Sequence, residues 1–360
     1  MKHTTYFAVF LMISFFGCSS DDTETIPETD TETIYFPPIN SDTWETKSIS
    51  DLGWNESQLQ PLLDFLEING SKSFMILHEG KIVVESYMND HDDTSLWYWA
   101  SAGKTLTSTV AGIAQDEGLL DLNNKVSDYL GTGWTSATID KENLITCKHL
   151  LSMTSGLDDS LGDNVSPENL QYIADAGTRW AYHNTYVKMQ DVVAAASNQT
   201  WDSYFNTKLR DKIGMTGAPN RWLNLNDLSV YWSDTRSMAR FGLLAYAKGK
   251  WENTQIISNF FLNEATNTSQ SINQSYGYLW WLNGKSSYHL PSVQFEFDGE
   301  LIPNAPADTY AALGKNDQKI YVVPSKKIVV IRMGDAADDS TFALSSFDNE
   351  LWGKINLLVD

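Results

Sequence analysis

The sequence predicts an α+β fold: an antiparallel sheet assembled from both ends of the chain, flanked by helices, with a mostly helical domain inserted. Three observations carry this. Two β-rich runs lie early, at Ser73–Leu77 and Ile82–Tyr87. Four more follow residue 274, at Tyr276–Leu282, Thr309–Leu313, Lys319–Val323 and Ile328–Met333. Between them the spacing of apolar residues is mainly helical.

The elements follow in order. Met1-Lys2-His3 is a short basic start, and Thr4–Phe16 is an apolar run too short for a permanent membrane helix. It ends Phe15-Phe16-Gly17-Cys18, which looks like a bacterial lipobox with Cys18 as the lipidated residue. The acidic Ser19-Ser20-Asp21-Asp22 that follows resembles the surface-export signal of Bacteroidetes lipoproteins. Residues 1–18 are thus expected to be a lipoprotein signal peptide. Residues 19–43, rich in Thr, Glu, Asp and Pro, are expected to be a disordered tether. The folded body is expected over 44–360, with sheet parts at about 44–110 and 270–360 and a helical part at about 111–269. In Asn55–Leu66, Leu59, Leu62, Leu63 and Leu66 share one helical face. Glu79-Gly80 reads as a hairpin turn. Lys104–Gln115, Val192–Ala196, Tyr204–Leu209 and Ser237–Ala247 read as helices. Pro324-Ser325-Lys326-Lys327 is a turn between the last two strands, and Phe342–Leu358 is helical in pattern.

Composition excludes some functions. The 360 residues are 42% hydrophobic and carry a formal net charge of −21. That charge repels phosphate backbones, so no nucleic-acid partner is expected. If Cys18 is acylated, Cys147 is left alone and an internal disulfide is impossible. No His-Glu-x-x-His or paired-Cys pattern points to a metal, no Gly-x-Ser-x-Gly elbow is present, and no Gly-rich phosphate loop appears. No metal or cofactor is expected.

Three motifs carry chemistry. Ser101-Ala102-Gly103-Lys104 is a Ser-x-x-Lys tetrapeptide at the start of a helical stretch. Three-residue spacing puts the amine beside the hydroxyl, and a helix N-terminus favours an anion. A Ser hydroxyl needs a base to become a nucleophile. Lys104 with a lowered pKa serves, or a Tyr whose pKa a charged Lys104 lowers. Chance alone gives on the order of one such tetrapeptide in a chain this long. The second motif, Tyr182-His183-Asn184, follows a Gly-Thr-Arg-Trp loop. Tyr87-Met88-Asn89 and Tyr204-Phe205-Asn206 share its spacing but read as structural. The third, Ala312-Leu313-Gly314-Lys315, ends a strand, where a Gly lets substrate lie along the edge and the Lys315 N–H can share an oxyanion with the Ser101 N–H.

In this order the three motifs resemble those of serine β-lactamases of class C and related penicillin-recognising enzymes. His78–Glu85, Gly118–Leu130 and Thr146–Gly156 resemble the same superfamily, and the likeness runs from Trp44 to the C-terminus. The esterase and 6-aminohexanoate-dimer hydrolase branch is the nearest in pattern. The resemblance implies an α/β sandwich of the β-lactamase/transpeptidase type. It implies a Ser101 acyl-enzyme, with Tyr182 taking the Ser101 proton, assisted by Lys104. Asn184 would position substrate or Lys104, and the Ser101 and Lys315 amides would hold the oxyanion.

One departure limits the expectation. The family's Lys-Thr-Gly pattern has a cation two residues before the Gly, where this chain has Ala312. A neutral ester, amide or short peptide is expected as substrate, with weak or no β-lactamase activity. The alternative is a catalytically silent surface receptor for cell-wall or glycan fragments. A monomer tethered to the bacterial cell envelope by its N-terminal lipid, as an outer-membrane lipoprotein, is expected. Of the abundant aromatics, Trp97, Tyr98, Trp99, Trp180, Trp222, Tyr231, Trp232, Trp280 and Trp281 fall near the motifs or in predicted loops. Some are expected to line an acyl pocket and the rest to pack the core.

Overall fold

The first and last strands of the body lie side by side. The computed structural model describes Met1 and residues 34–221, 229–338 and 344–360. Its main sheet contains β1 (Ser71–His78), β2 (Lys81–Tyr87), β3 (Trp281–Leu282), β4 (Tyr310–Gly314), β5 (Gln318–Val323) and β6 (Ile328–Gly334). The order is β2-β1-β6-β5-β4-β3, with every neighbouring pair antiparallel. The N-terminal hairpin thus joins the C-terminal strands through β1 and β6, where Ile76 faces Val330.

Five helices of ten or more residues are described: α1 (Leu59–Ile68), α2 (Lys104–Asp116), α3 (Lys188–Ser197), α4 (Thr235–Tyr246) and α5 (Ser346–Val359). Alternation along the strands assigns two of them to opposite faces of the sheet. Gly242 of α4 lies against Val329, Ile320 and Ile331, where a Cβ would come within 2.5 Å of Val329. The intervening side chains point the other way, with Tyr321 against Trp352 of α5 at 5.4 Å and Arg332 over Phe347 at 5.1 Å. Both faces are covered, so every residue of β5 and β6 is buried. α2 runs through the interior, buried from Lys104 to Ala114. Its Gly112 admits no side chain, because a Cβ would stand 2.5 Å from Phe261.

Some expectations change. The Tyr276–Leu282 run pairs with β4 only at Trp281 and Leu282. Leu279 adopts a left-handed φ of +62°, and the Gly277 N–H bonds the Trp280 carbonyl, so the chain turns instead of extending. The Tyr204–Leu209 helix divides into an α-helical turn, Trp201–Phe205, and a π-helical turn, Asn206–Arg210. The tether expected to reach residue 43 is packed from residue 34 onward. Phe36 is half-buried against Trp251 at 5.2 Å, and Arg240 of α4 donates to the carbonyls of Pro37, Pro38 and Ser41. A segment with no apolar period is held here by a guanidinium about 200 residues away, which local pattern cannot reveal. Cys18, the rest of the tether (19–33) and Trp222 lie outside the described residues. Among the described residues, no helix is long and apolar enough to cross a membrane.

Candidate active site

The nucleophile candidate sits on a strained turn. A short strand, Trp97–Tyr98, pairs with Ser233 and Trp232 of the Ser229–Ser233 strand and delivers the chain to Trp99. Trp99 is fully buried, with its indole N–H on the Ser233 hydroxyl at 2.8 Å. Ala100 then takes a φ of +47°, a region costly for a residue with a Cβ. The chain closes a 3₁₀ turn, Ala100–Gly103, and enters α2 at Lys104. Ser101 and Lys104 therefore share one turn, and Lys104 Nζ lies 2.9 Å from Ser101 Oγ. A Cβ at Gly103 would meet Trp99 and Tyr231 only at ordinary contact distance, 3.8 Å.

Lys104 is 4% exposed. Burial pulls its pKa down from 10.5 to about 7, against an opposing pull from the Asp163 carboxylate. Each unit is tenfold, so the neutral fraction at pH 7 rises from roughly one in 3,000 to about one half. Two rings face the ammonium, with centroids 4.9 Å away for Tyr182 and 4.5 Å for Tyr186.

Tyr182 lies in an extended segment before the Asn184–Val187 turn. Its ring stacks on Trp281 at 5.6 Å and meets Tyr276 edge-on at 6.1 Å. Burial pushes its hydroxyl up to about 12, offset in part by hydrogen bonding to Ser101 and Trp281. At neutral pH Tyr182 holds its proton, and Lys104 is the group poised to accept one.

Asn184 is turned elsewhere. Its amide donates to Asp163 Oδ1 at 2.8 Å, and no hydrogen bond joins it to Lys104. Of the two roles expected for Asn184, positioning substrate or positioning Lys104, the second is not made by direct contact: its hydrogen bonds go to Asp163. His183 is buried, with Nδ1 2.5 Å from the Thr185 hydroxyl, and is a spacer in the motif.

The third segment closes the site. Gly314 ends β4 beside the nucleophile turn. A Cβ at Gly314 would lie 2.4 Å from the Trp99 carbonyl oxygen and 3.0 Å from the Ala102 nitrogen, so only Gly fits. The Lys315 side chain is exposed. Beyond it, Asn316 and Asp317 are both left-handed, at φ +59° and +60°. Asn316 donates to the Tyr98 hydroxyl at 2.7 Å, and Arg332 donates to the Asn316 and Asp317 carbonyls. Ala312 is fully buried in the sheet, so no cation occupies that position.

Sequence reasoning missed Asp163 and Tyr186. Tyr186 carried a signal, lying four residues after Tyr182 on what becomes a helical turn. Asp163, on an irregular loop, carried none. Of the aromatics, Trp281 reaches Tyr182, whereas Trp280 packs in the core against Phe241 and Tyr310. A pocket of about 780 Å³, lined by Ile34, Tyr246, Asn283 and Tyr310 among others, contains none of the motif residues. Among the described residues, no group of three or more His, Cys, Asp or Glu side chains is placed to hold a metal.

A Ser–Lys pair on one turn, a Tyr ring on the Lys and a strand-end Gly against the Ser turn form one site. A family model for beta-lactamase matches residues 69–342, spanning all three motifs. The chain belongs to the beta-lactamase family. Family members are generally serine hydrolases. Solved structures share its fold at low identity. A candidate 6-aminohexanoate-dimer hydrolase from Bacillus anthracis is 16% identical with a TM-score of 0.68, covering 89% of each chain. A penicillin-binding protein from Bacillus halodurans is 13% identical with a TM-score of 0.61, covering 82% of this chain and 99% of its own. The octameric penicillin-binding protein homologue from Pyrococcus abyssi is 14% identical with a TM-score of 0.58, covering 84% and 78%. No curated protein matched the sequence significantly. In this family the β-lactamase/transpeptidase fold brings both chain ends into one sheet, as β1 and β6 do here.

Proposed function

We propose that this beta-lactamase-family protein hydrolyses an uncharged ester or amide through an acyl-enzyme on Ser101. The observation that carries this is the 2.9 Å contact between Ser101 Oγ and a buried Lys104 whose pKa lies at about 7. Neutral Lys104 takes the Ser101 proton as Oγ bonds to the carbonyl carbon, and the carbonyl oxygen becomes an oxyanion. The Ser101 and Lys315 backbone N–H groups receive that charge. On collapse the carbon–leaving-group bond breaks, and the proton passes from Lys104 by way of the Tyr182 hydroxyl to the leaving atom. Water then gives up a proton along the same route, attacks the acyl carbon and releases the acid, restoring Ser101. The rings of Trp281, stacked on Tyr182, and of Tyr276 and Trp180, set edge-on to Trp281, provide an apolar wall. Ala312, where the family pattern has a cation, favours substrates without a carboxylate.

A fluorophosphonate probe followed by mass spectrometry tests the reading. Wild type should be labelled on Ser101, and Ser101→Ala should lose both label and p-nitrophenyl ester turnover. Label surviving Ser101→Ala would defeat the assignment. An unlabelled, inactive wild type that binds cell-wall fragments would favour the receptor reading.

A further inference from the structure

One buried side chain joins the two segments that carry the oxyanion donors. Gln318, fully buried at the start of β5, pairs with Gly314 across the β4–β5 turn. Its amide nitrogen donates to the carbonyls of Gly334 at 2.6 Å and Asn316 at 2.8 Å, with the Lys315 carbonyl further off at 3.4 Å. Its amide oxygen accepts the Gly334 N–H at 3.1 Å. The amide fits only this way round, because reversal would set its oxygen against two carbonyls. Gly334, at the end of β6, also takes the Trp97 indole N–H on its carbonyl at 3.1 Å, and Asn316 donates to the Tyr98 hydroxyl at 2.7 Å. Trp97 and Tyr98 form the strand that enters the Ser101 turn. The Lys315 segment and the Ser101 segment are thus fastened to the same two groups, Gly334 and Asn316. Arg332 holds the Asn316 and Asp317 carbonyls separately, at 3.0 Å and 3.1 Å.

Given an acyl-enzyme on Ser101, we infer that Gln318 is a positioning residue which, together with the Asn316–Tyr98 bond, sets the spacing between the Ser101 and Lys315 amides. Two donors stabilise an oxyanion only when both reach it at hydrogen-bond distance. Both donors here are backbone groups, so their spacing is a property of the two turns. The Lys315 side needs holding. Asn316 and Asp317 are both left-handed, a conformation that residues with a Cβ keep only when their surroundings impose it. Gly314 bears directly on the other turn, where a Cβ would lie 2.4 Å from the Trp99 carbonyl oxygen. Gln318 acts through the backbone it holds, and the charge it serves arises only as the substrate carbonyl becomes tetrahedral.

Paired inhibitors of the full chain read this directly. An aryl trifluoromethyl ketone takes Ser101 Oγ onto its carbonyl carbon, sends the Oγ proton to Lys104 and leaves an oxyanion in the site. The matching trifluoromethyl carbinol has no carbonyl to attack and forms no oxyanion. Gln318→Met keeps the length of the side chain and loses every donor. In it the ketone Ki should rise about tenfold or more, and the carbinol Ki should stay within about twofold. Ester kcat should fall in step with the ketone, with KM nearly constant. Tyr98→Phe should shift the ketone the same way by less. A merely structural role would weaken ketone and carbinol alike. Equal losses for both inhibitors, or an unmoved ketone Ki in a folded Gln318→Met, overturn the inference. Should that variant fail to fold, an unmoved ketone Ki in Tyr98→Phe overturns it equally. A wild type that the fluorophosphonate leaves unlabelled and the ketone does not inhibit would instead defeat the hydrolase reading, and this inference with it.

Discussion

At the scale of the residue, Lys104 bears conflicting demands. Its ammonium loses water on entering a site 4% exposed, and the folded pKa falls to about 7 from 10.5. A folded-state pKa below the unfolded value means that at pH 7 folding must shed part of a proton. Native stability is therefore reduced below pH 10.5, and the penalty reaches its full size once pH drops below about 7. Lys104→Met should stabilise the fold at neutral pH by about 1–3 kcal/mol, after allowing for the lost Ser101 bond. The gain should shrink as pH rises toward 10. Urea titrations at pH 7 and pH 10 check this, and equal or negative gains would contradict it. The same variant should lower ester kcat/KM by roughly 10³-fold or more, since the base is gone. Both halves of the Ser101–Lys104 pair were legible as sequence, because the i, i+3 relation is local. The field of Asp163 was not, since it arises from a loop about 60 residues away.

At the scale of the element, β4 matters through where it ends. Gly314 lies so close to the Trp99 carbonyl that an added Cβ, at 2.4 Å, would push strand and turn apart. Gly314→Ala should reduce kcat/KM roughly 100-fold through misplacement of the Ser101 turn. Circular dichroism should show the fold retained, and full activity would show that the turn can give way. The residues just after Gly314 are held by buried charge. Lys319, fully buried in β5, bonds Asp348 at 2.7 Å and Asp317 at 3.1 Å, and Tyr321 shares Asp348 at 2.5 Å. Lys319→Met leaves two buried carboxylates without their cation and should cost about 3–5 kcal/mol in chemical denaturation. A loss under about 1 kcal/mol would mean that the carboxylates take up protons or water instead. The sequence displayed β5 as a strand but not this network, whose members are set side by side only by the β5–α5 contact.

At the scale of the whole molecule, the net charge of −21 and the absence of a cation at Ala312 act in the same direction. Anionic substrates are repelled on approach and find no cation at that position. A chromogenic cephalosporin, which carries a carboxylate, should be turned over at least about 100-fold less efficiently than a neutral p-nitrophenyl ester. Raising ionic strength should improve the cephalosporin rate more than the ester rate, because screening relieves only the charged pair. Rapid cephalosporin turnover at low salt would show that another group supplies the missing cation.

The sequence by itself determined the α+β class and the strand runs at both ends. It also determined the Ser-x-x-Lys, Tyr-x-Asn and strand-end Gly motifs. Each is a matter of periodicity or spacing within a few residues, and such relations survive being read in one dimension. Tertiary structure alone decided that Asn184 turns to Asp163 and that Leu279 breaks its strand. It alone packed residues 34–43 under Arg240. These depend on groups tens to hundreds of residues apart, and their energies come from burial and charge that exist only once the chain has closed.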